Sequence, residues 1–166
     1  MFLNLKENSI SQINSLLLFM VLFLLDQCTK IFVSKIMLEN GFSNINILSF
    51  LDIVFVRNTG ISFGFFSEGG QFNRYFFSIL SLSVGFALIL SSIFIKNKIL
   101  NYAFIFISAG AIGNATDRVY FGGVIDFIDF FIYNFHWPAF NFADVFITIG
   151  VLFLITDSFV DHKKYD

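Results

Sequence analysis

Four long apolar stretches dominate this sequence and set the first limit on its fold. They are residues 8–25, 75–95, 99–116 and 140–160. A helix that crosses a membrane needs about 20 mostly apolar residues, because the hydrocarbon core is about 30 Å thick and a helix rises about 1.5 Å per residue. The first stretch can continue through Asp26 toward Met37. We therefore expect an all-α membrane protein in which residues 1–166 form one integral membrane domain with four transmembrane helices.

The charge content supports a membrane environment. Only 13% of the residues are charged, whereas a soluble domain usually has about 25%. The net charge is −2 and no basic cluster occurs, so no nucleic-acid partner is predicted. The single cysteine, Cys28, excludes an internal disulfide and a cysteine-based metal site. The only histidines, His136 and His162, fall on different sides of the predicted bundle, so no metal or other cofactor is predicted.

Four crossings place both chain termini on the same side of the membrane. The short connector 96–98 lies on that side, and the long connections 38–73 and 119–139 lie on the other. Basic residues are equally numerous on the two sides, but the lysines of the short connector and of the tail favour cytoplasmic termini. The first apolar stretch is longer than the core of a cleaved signal peptide, about 7–15 residues, so we expect it to remain as a helix.

Both long connections contain a recognisable pattern. Residues 44–56 (NINILSFLDIVFV) are rich in Ile, Val and Phe and precede the polar segment RNTG, which predicts one or two strands and a small sheet outside the membrane. The connection between the third and fourth helices is an aromatic loop, which fits either an aromatic belt at the membrane surface or a lid over a site. Its aromatic residues are Phe130, Phe131, Tyr133, Phe135 and Trp137.

Carboxylates gather near one face of this predicted bundle. Asp26 lies late in the first span, Asp117 ends the third, Asp144 begins the fourth, and Asp126 lies in the loop on that face. A carboxylate inside a span costs a few kcal/mol on insertion scales, so it usually faces a cavity or a partner and marks a function.

The alternative is that these carboxylates are ordinary interface residues. Lys30 and Arg118 are the available cations, and the adjacent pair Asp117 and Arg118 fits a structural anchor at a helix end best. Asp129 has no partner that the sequence identifies.

A cluster of carboxylates fits amide hydrolysis. Two neighbouring carboxyl groups do not both ionise readily, so the pair holds one proton over a broad pH range. The ionised member takes a proton from water and the protonated member polarises a carbonyl. This reasoning alone does not distinguish Asp126 from Asp129. Two other interpretations are an ion- or proton-coupled transporter, disfavoured because only Asp157 approaches the opposite face, and a non-enzymatic assembly factor.

Several short motifs, in order along the chain, resemble those of lipoprotein signal peptidase (signal peptidase II), a family of bacterial inner-membrane aspartic proteases. The resemblance covers nearly the whole chain. The motifs are DQCTK at 26–30, NTGISFG at 58–64, GAIGNATDR at 110–118, GGVIDF at 122–127 and FNFAD at 140–144.

The resemblance implies that Asp126 and Asp144 form a catalytic pair, hereafter the dyad. The residues that it implies support the site are Asn114, Asp117, Arg118 and Asn141. Those that it implies shape the site or the substrate groove are Asp26, Lys30, Asn58 and Gly60.

The resemblance also implies the substrate and the location. The substrate is a prolipoprotein whose cysteine bears diacylglycerol, and cleavage falls just before that cysteine. The protein then lies in the inner membrane among lipids, with cytoplasmic termini and with its site near the outer face. No cofactor is implied, and we expect a monomer.

Overall fold

The computed structural model describes residues 2–60 and 70–162. Each of the four helices in this part of the chain contains a segment long and apolar enough to cross a membrane, which confirms the predicted fold class. The elements in chain order are α1 (Phe2–Glu39), β1 (Ile45–Leu48), β2 (Leu51–Asn58), α2 (Gly70–Ser92), α3 (Lys98–Phe121), β3 (Val124–Ile132), β4 (Phe135–His136) and α4 (Phe142–His162).

Helices α2 and α3 extend beyond the uncharged stretches into turns that contain charged residues. Helix α2 begins at Gly70 rather than at residue 75, and α3 ends at Phe121 rather than at residue 116. The difference arises because charged residues in these turns find partners: the guanidinium of Arg74 donates to the backbone carbonyls of Arg118 and Val119. Gly122 then ends α3 with φ 77°, and its N–H donates to the carbonyl of Arg118 at 3.1 Å, as in a glycine C-cap.

Helix α3 is the centre of the bundle. The other three helices all pack against it, and 50% of its membrane-spanning window is buried, compared with 17% in each of the others. Small residues such as Ala109 and Gly110 line α3 and permit this close approach. Its partners in the core include Phe19, Leu22 and Phe146. The outer faces of the bundle remain apolar, as expected for helices surrounded by lipid.

A four-stranded antiparallel sheet covers one end of the bundle, in the order β1-β2-β3-β4. The sheet predicted between the first two helices is therefore present, and the predicted aromatic loop extends it with β3 and β4. In the β2–β3 pair, Val56 lies opposite Asp126 and Asn58 lies opposite Val124. Phe127 packs beneath the sheet against Val33 and Met37 of α1. We call this end of the bundle the sheet end.

Neutral polar contacts join the helices at the opposite end, hereafter the terminal end. The Gln12 side chain of α1 donates to the carbonyl of Ile93 at 3.1 Å, just beyond α2. Ser15 donates to the side chain of Asn101 at 2.8 Å, and Asn101 donates in turn to the carbonyl of Ser92 at 2.7 Å. These contacts connect α1, α2 and α3 without a buried charge.

Candidate active site

Asp144 lies in the first turn of α4 and takes part in the cap of that helix. Its backbone N–H donates to Asn141 Oδ1 at 3.1 Å, and its own Oδ2 accepts the backbone N–H of Asn141 at 3.2 Å. This reciprocal arrangement is a capping box with Asn and Asp in the two positions. The spacing Asn-x-x-Asp in the FNFAD motif therefore has a local structural cause, and it fixes the carboxyl group of Asp144.

Asp126 reaches the same place from strand β3. Its Oδ1 accepts a hydrogen bond from Asn141 Nδ2 at 2.6 Å, and its Oδ2 accepts one from Asn58 Nδ2 at 3.2 Å. The side chain is 2% exposed. Asn141 thus contacts both aspartates, Asp126 through its side-chain amide and Asp144 through its backbone.

Asn114 of α3 completes the link between the two aspartates. Its Nδ2 donates to Asp144 Oδ1 at 2.8 Å, while its Oδ1 accepts from Asn141 Nδ2 at 3.2 Å and from Lys30 Nζ at 3.0 Å. With its oxygen accepting from these two donors, the amide of Asn114 must present its donor side to Asp144.

The electrostatic environment of the dyad favours a bound proton. Burial is the largest effect and the negative charge of Asp144 the second, and together they raise the pKa of Asp126 from 3.8 to about 7. The hydrogen bonds from Asn58 and Asn141 and the charge of Lys30 oppose this rise. Asp126 therefore holds its proton at a higher pH than an ordinary aspartate does.

A second set of buried polar side chains lies behind the dyad. Its centre is Lys30, which is 1% exposed and whose Nζ lies 2.9 Å from Asp26 Oδ2 and 2.8 Å from Asp117 Oδ2. Both carboxylates are fully buried, so they are not interface residues that extend toward water. We call Asp26, Gln27, Lys30 and Asp117 the support cluster. Gln27 was not predicted as a site residue, because the motif that contains it specifies only its neighbours.

The support cluster holds backbone groups of the segments that carry the dyad. Asp26 Oδ1 accepts the N–H of Ala143 at 2.9 Å, in the first turn of α4. Asp117 Oδ2 accepts the N–H of Ile125 at 3.2 Å, in β3.

Arg118 does not make the structural anchor with Asp117 that its position in the sequence suggested. Its Nη2 donates to the carbonyl of Gly60 at 3.2 Å and its Nη1 to the carbonyl of Asn114 at 3.4 Å, whereas Asp117 pairs with Lys30. Adjacent helical residues point about 100° apart, so neighbours in sequence rarely face each other. Gly60 also donates its N–H to Asn58 Oδ1 at 3.1 Å, so every predicted site residue belongs to one hydrogen-bonded network.

Asp129 has a partner that the sequence did not reveal. His136 Nδ1 lies 2.7 Å from Asp129 Oδ2, and the imidazole ring stacks on Phe131 at a centroid distance of 5.2 Å. The antiparallel pairing of β3 with β4 sets His136 opposite Phe131. Local sequence motifs do not predict this pairing. Asp129 makes no described contact with the dyad.

Asp126 and Asp144 both line an open cavity of about 900 Å³. One side of this cavity is the sheet, where Val56 and Val124 contribute, and the other is α4, where Thr148 contributes. Of the five loop aromatics, only Trp137 lines it. The turn between β3 and β4 faces solvent or lipid, since Tyr133 in this turn is 93% exposed. This geometry fits an aromatic belt at the membrane surface better than a lid over the site.

Comparison with known proteins identifies the family to which the chain belongs. A family model described as signal peptidase (SPase) II matches residues 18–160. The lipoprotein signal peptidase of Aeromonas hydrophila is 38% identical over 146 residues, which cover 87% of each chain. That of Alteromonas mediterranea is 40% identical over 144 residues, which cover 86% of this chain and 78% of the relative.

A solved structure has the same fold. It is described as a bacterial membrane enzyme, and it superposes with a TM-score of 0.75 at 32% identity over 92% of each chain. These matches favour the protease interpretation over the transporter and the assembly factor. The chain is therefore a multi-pass bacterial membrane protease that belongs to the signal peptidase II family.

Proposed function

We propose that this protein removes the signal peptide from lipid-modified bacterial prolipoproteins, and that Asp126 and Asp144 carry out the hydrolysis. Cleavage falls just before the cysteine that bears diacylglycerol. The observation that carries the proposal is the position of Asn141, which donates its side-chain amide to one carboxyl group and its backbone N–H to the other. Two carboxyl groups held by one residue at the wall of a cavity are an arrangement suited to water activation.

The two carboxyl groups take different roles because their environments differ. Asp126 is the more buried, and the pKa of Asp126 is raised to about 7, so we assign it the shared proton. Asp144 lies in the first turn of α4, where the helix dipole favours a negative charge. It also accepts hydrogen bonds from the amides of Asn114 and Asn141. We therefore assign Asp144 the role of general base.

The reaction follows from these roles. Asp144 takes a proton from a water molecule while the water oxygen attacks the carbonyl carbon of the scissile peptide, and Asp126 gives its proton to the carbonyl oxygen. The tetrahedral diol then collapses: one hydroxyl proton returns to Asp126, and the proton on Asp144 passes to the departing nitrogen as the C–N bond breaks. The products are a carboxylic acid on the signal peptide and a free amine on the lipidated cysteine. Every group in this scheme belongs to the chain, the substrate or water, so no cofactor is needed.

The shape of the cavity supports an approach of the substrate from the lipid phase. Its lining continues from the dyad along Val145, Thr148 and Ile149 of α4, inside the membrane-spanning part of that helix. The acyl chains of the substrate remain among membrane lipids on this route, and only the peptide near the cysteine enters the cavity. A single copy of the chain supplies the whole network, which supports a monomer as the working unit.

The basic residues support cytoplasmic termini and a site near the outer face. Lys30 and Arg118, which belong to the sheet end, are buried inside the bundle and do not act as loop charges. Without them, the sequence has five basic residues on the side of the termini and three on the other side, which is the arrangement typical of cytoplasmic termini. We propose this orientation in the inner membrane.

The test is release of the signal peptide from a diacylglyceryl-modified precursor by the purified protein. Asp126→Asn and Asp144→Asn should each lower kcat by about a thousandfold or more, because loss of a general acid or base removes a group that acts only in the transition state. Asp129→Asn is the matched control: it is a buried aspartate of the same strand, and it should retain activity.

Two results would contradict the proposal. One is cleavage by either dyad variant at a rate near that of the wild type in a folded preparation. The other is loss of cleavage in the presence of a strong chelator of divalent metals, since the proposed scheme requires no metal.

A further inference from the structure

Each dyad aspartate directly follows a residue whose backbone N–H is bound by a buried carboxylate. Ala143 precedes Asp144 and donates to Asp26 of α1 at 2.9 Å. Ile125 precedes Asp126 and donates to Asp117 of α3 at 3.2 Å. The separation of the two dyad segments therefore depends on the separation of two carboxylates that belong to different helices.

Two side chains bridge those carboxylates. Lys30 Nζ contacts Asp26 Oδ2 at 2.9 Å and Asp117 Oδ2 at 2.8 Å, and it offsets their charge. Gln27 Nε2 donates to Asp26 Oδ2 at 3.0 Å and lies 3.2 Å from Asp117 Oδ1. A third acceptor, the carbonyl of Gly113, is 3.3 Å away. An ammonium is a compact charge with rotatable donors, whereas the planar amide of Gln27 directs its two hydrogens at fixed positions.

We infer that Gln27 is a positioning residue for the proposed reaction, which fixes the distance between the segments that carry Asp126 and Asp144. The inference rests on the proposed function. Gln27 is not among the residues that line the cavity, and its described side-chain contacts are with α3 and with Asp26 of its own helix. It therefore acts on the dyad only through Asp26 and Asp117.

Replacing Gln27 by Leu removes one of the two bridges and leaves that of Lys30, while keeping a side chain of similar size that favours a helix. The two carboxylates then lose a shared donor and move apart, and the dyad segments move with them. A displacement of this kind impairs the transition state more than substrate binding, so kcat should fall about tenfold with KM changed less than about twofold.

The pH profile separates positioning from a general loss of stability. Asp126 is influenced by Asp144 from α4, Lys30 from α1 and Arg118 from α3. When the dyad segments separate and water enters, burial and the charge of Asp144 raise the pKa of Asp126 less. The alkaline limb of kcat should therefore move to lower pH in Gln27→Leu. A variant that only unfolds more easily loses activity without moving this limb.

Gln12→Leu is the matched control, because Gln12 is in the same helix and also donates to an acceptor outside that helix, at the terminal end. It should reproduce any loss of thermal stability and leave kcat and the pH profile unchanged. Gln27→Glu is the second variant: it offers a donor only when its own carboxyl group is protonated. Its activity relative to the wild type should recover as the pH is lowered.

The experiment measures kcat, KM and their pH dependence for the four full-length proteins in detergent, with a diacylglyceryl-modified precursor peptide. If the wild type does not cleave this substrate, the proposed function is wrong. If the wild type cleaves it and Gln27→Leu matches Gln12→Leu in kcat and pH profile, the proposed function stands and the role of Gln27 is refuted. A Gln27→Leu protein without a cooperative thermal transition, together with no recovery of Gln27→Glu at low pH, also refutes positioning.

Discussion

The two ends of the bundle are both joined by polar side chains, but the chemistry of those side chains differs. At the terminal end the buried linking groups are neutral amides and hydroxyls, as in the chain of contacts from Ser15 through Asn101 to the carbonyl of Ser92. At the sheet end, four carboxylates of buried or half-buried residues lie within one network, and the buried cations among the described residues of that network are Lys30 and Arg118.

This difference indicates that the polar groups at the two ends have different roles. Neutral donors and acceptors are sufficient to connect helices, and burying charge is costly unless it is paired. An excess of carboxylates over cations goes beyond what a structural link requires. It creates a place that binds a proton near neutral pH, which is a property that a hydrolase uses.

The largest effect should come from removing the one cation between Asp26 and Asp117. Lys30→Met leaves both buried carboxylates without their counter-ion and should lower the free energy of unfolding by about 3–5 kcal/mol. Precursor cleavage should be lost as well. Lys35→Met is the control, because Lys35 is exposed in the same helix. Thermal unfolding in detergent measures the effect, and equal stability of the two variants would show that the ion cluster is dispensable.

The second largest effect should be a pH dependence of stability that distinguishes the sheet end from the terminal end. The folded pKa of Asp126, about 7, exceeds its ordinary value of 3.8, so the folded state prefers the protonated form. This contribution to stability is complete below about pH 3.8 and disappears as the pH rises through about 7.

Asp126→Asn imitates the protonated form and should be inactive yet several degrees more stable than the wild type at pH 8. At pH 3.5 the difference in Tm should vanish. Asp129→Asn serves again as the comparison. A Tm difference that is the same at both pH values would contradict the raised pKa.

Substitutions at two glycines allow the two ends to be compared, because each would crowd a contact between helices to a similar degree. A Cβ at Gly113 would lie 2.6 Å from Asp26 Oδ2, and one at Gly150 would lie 2.8 Å from the carbonyl of Ala103, nearer the terminal end. Either change to Ala overpacks a helix contact and should cost about 1–3 kcal/mol. Only Gly113→Ala should also lower kcat, because it displaces a member of the support cluster. Equal kcat for both variants would remove the distinction between the ends.

The smallest effect should come from the cap of α3 at the terminal end. Asn97 accepts the N–H groups of Ile99 and Leu100 and donates to Asp157 at 2.6 Å. Asn97→Ala should cost about 1 kcal/mol of stability and leave the kinetics of cleavage unchanged. A change in kcat here would show that the terminal end also communicates with the site.

The sequence was sufficient to predict the helices, because a membrane span depends on local composition. It also placed Asp26, Asp117, Asp126 and Asp144 at the same end, since the number of crossings fixes which helix ends meet. The choice of Asp126 as a dyad member came only from family resemblance and remains a prediction.

The features that were missed depend on how helices and strands pair in three dimensions. Strand β3 was interpreted as part of a loop because its aromatic residues and two aspartates form no clear alternation, and its partner β2 is far away in the chain. The pairing of Lys30 with Asp117, and that of Asp129 with His136, depend on helix rotation and strand register. Neither quantity is encoded in a local pattern.

The capping box at the start of α4 means that the carboxyl group to which we assign proton transfer also caps its own helix. Asp144 is fixed relative to its helix, because its carboxyl group accepts the backbone N–H of Asn141 while its own N–H donates to the side-chain oxygen of Asn141. The four residues from Asn141 to Asp144 are thus a compact unit that contains both hydrogen bonds of the cap. At the start of another membrane helix, this tetrapeptide should orient its aspartate carboxyl group in the same way, because the groups that orient it belong to the tetrapeptide.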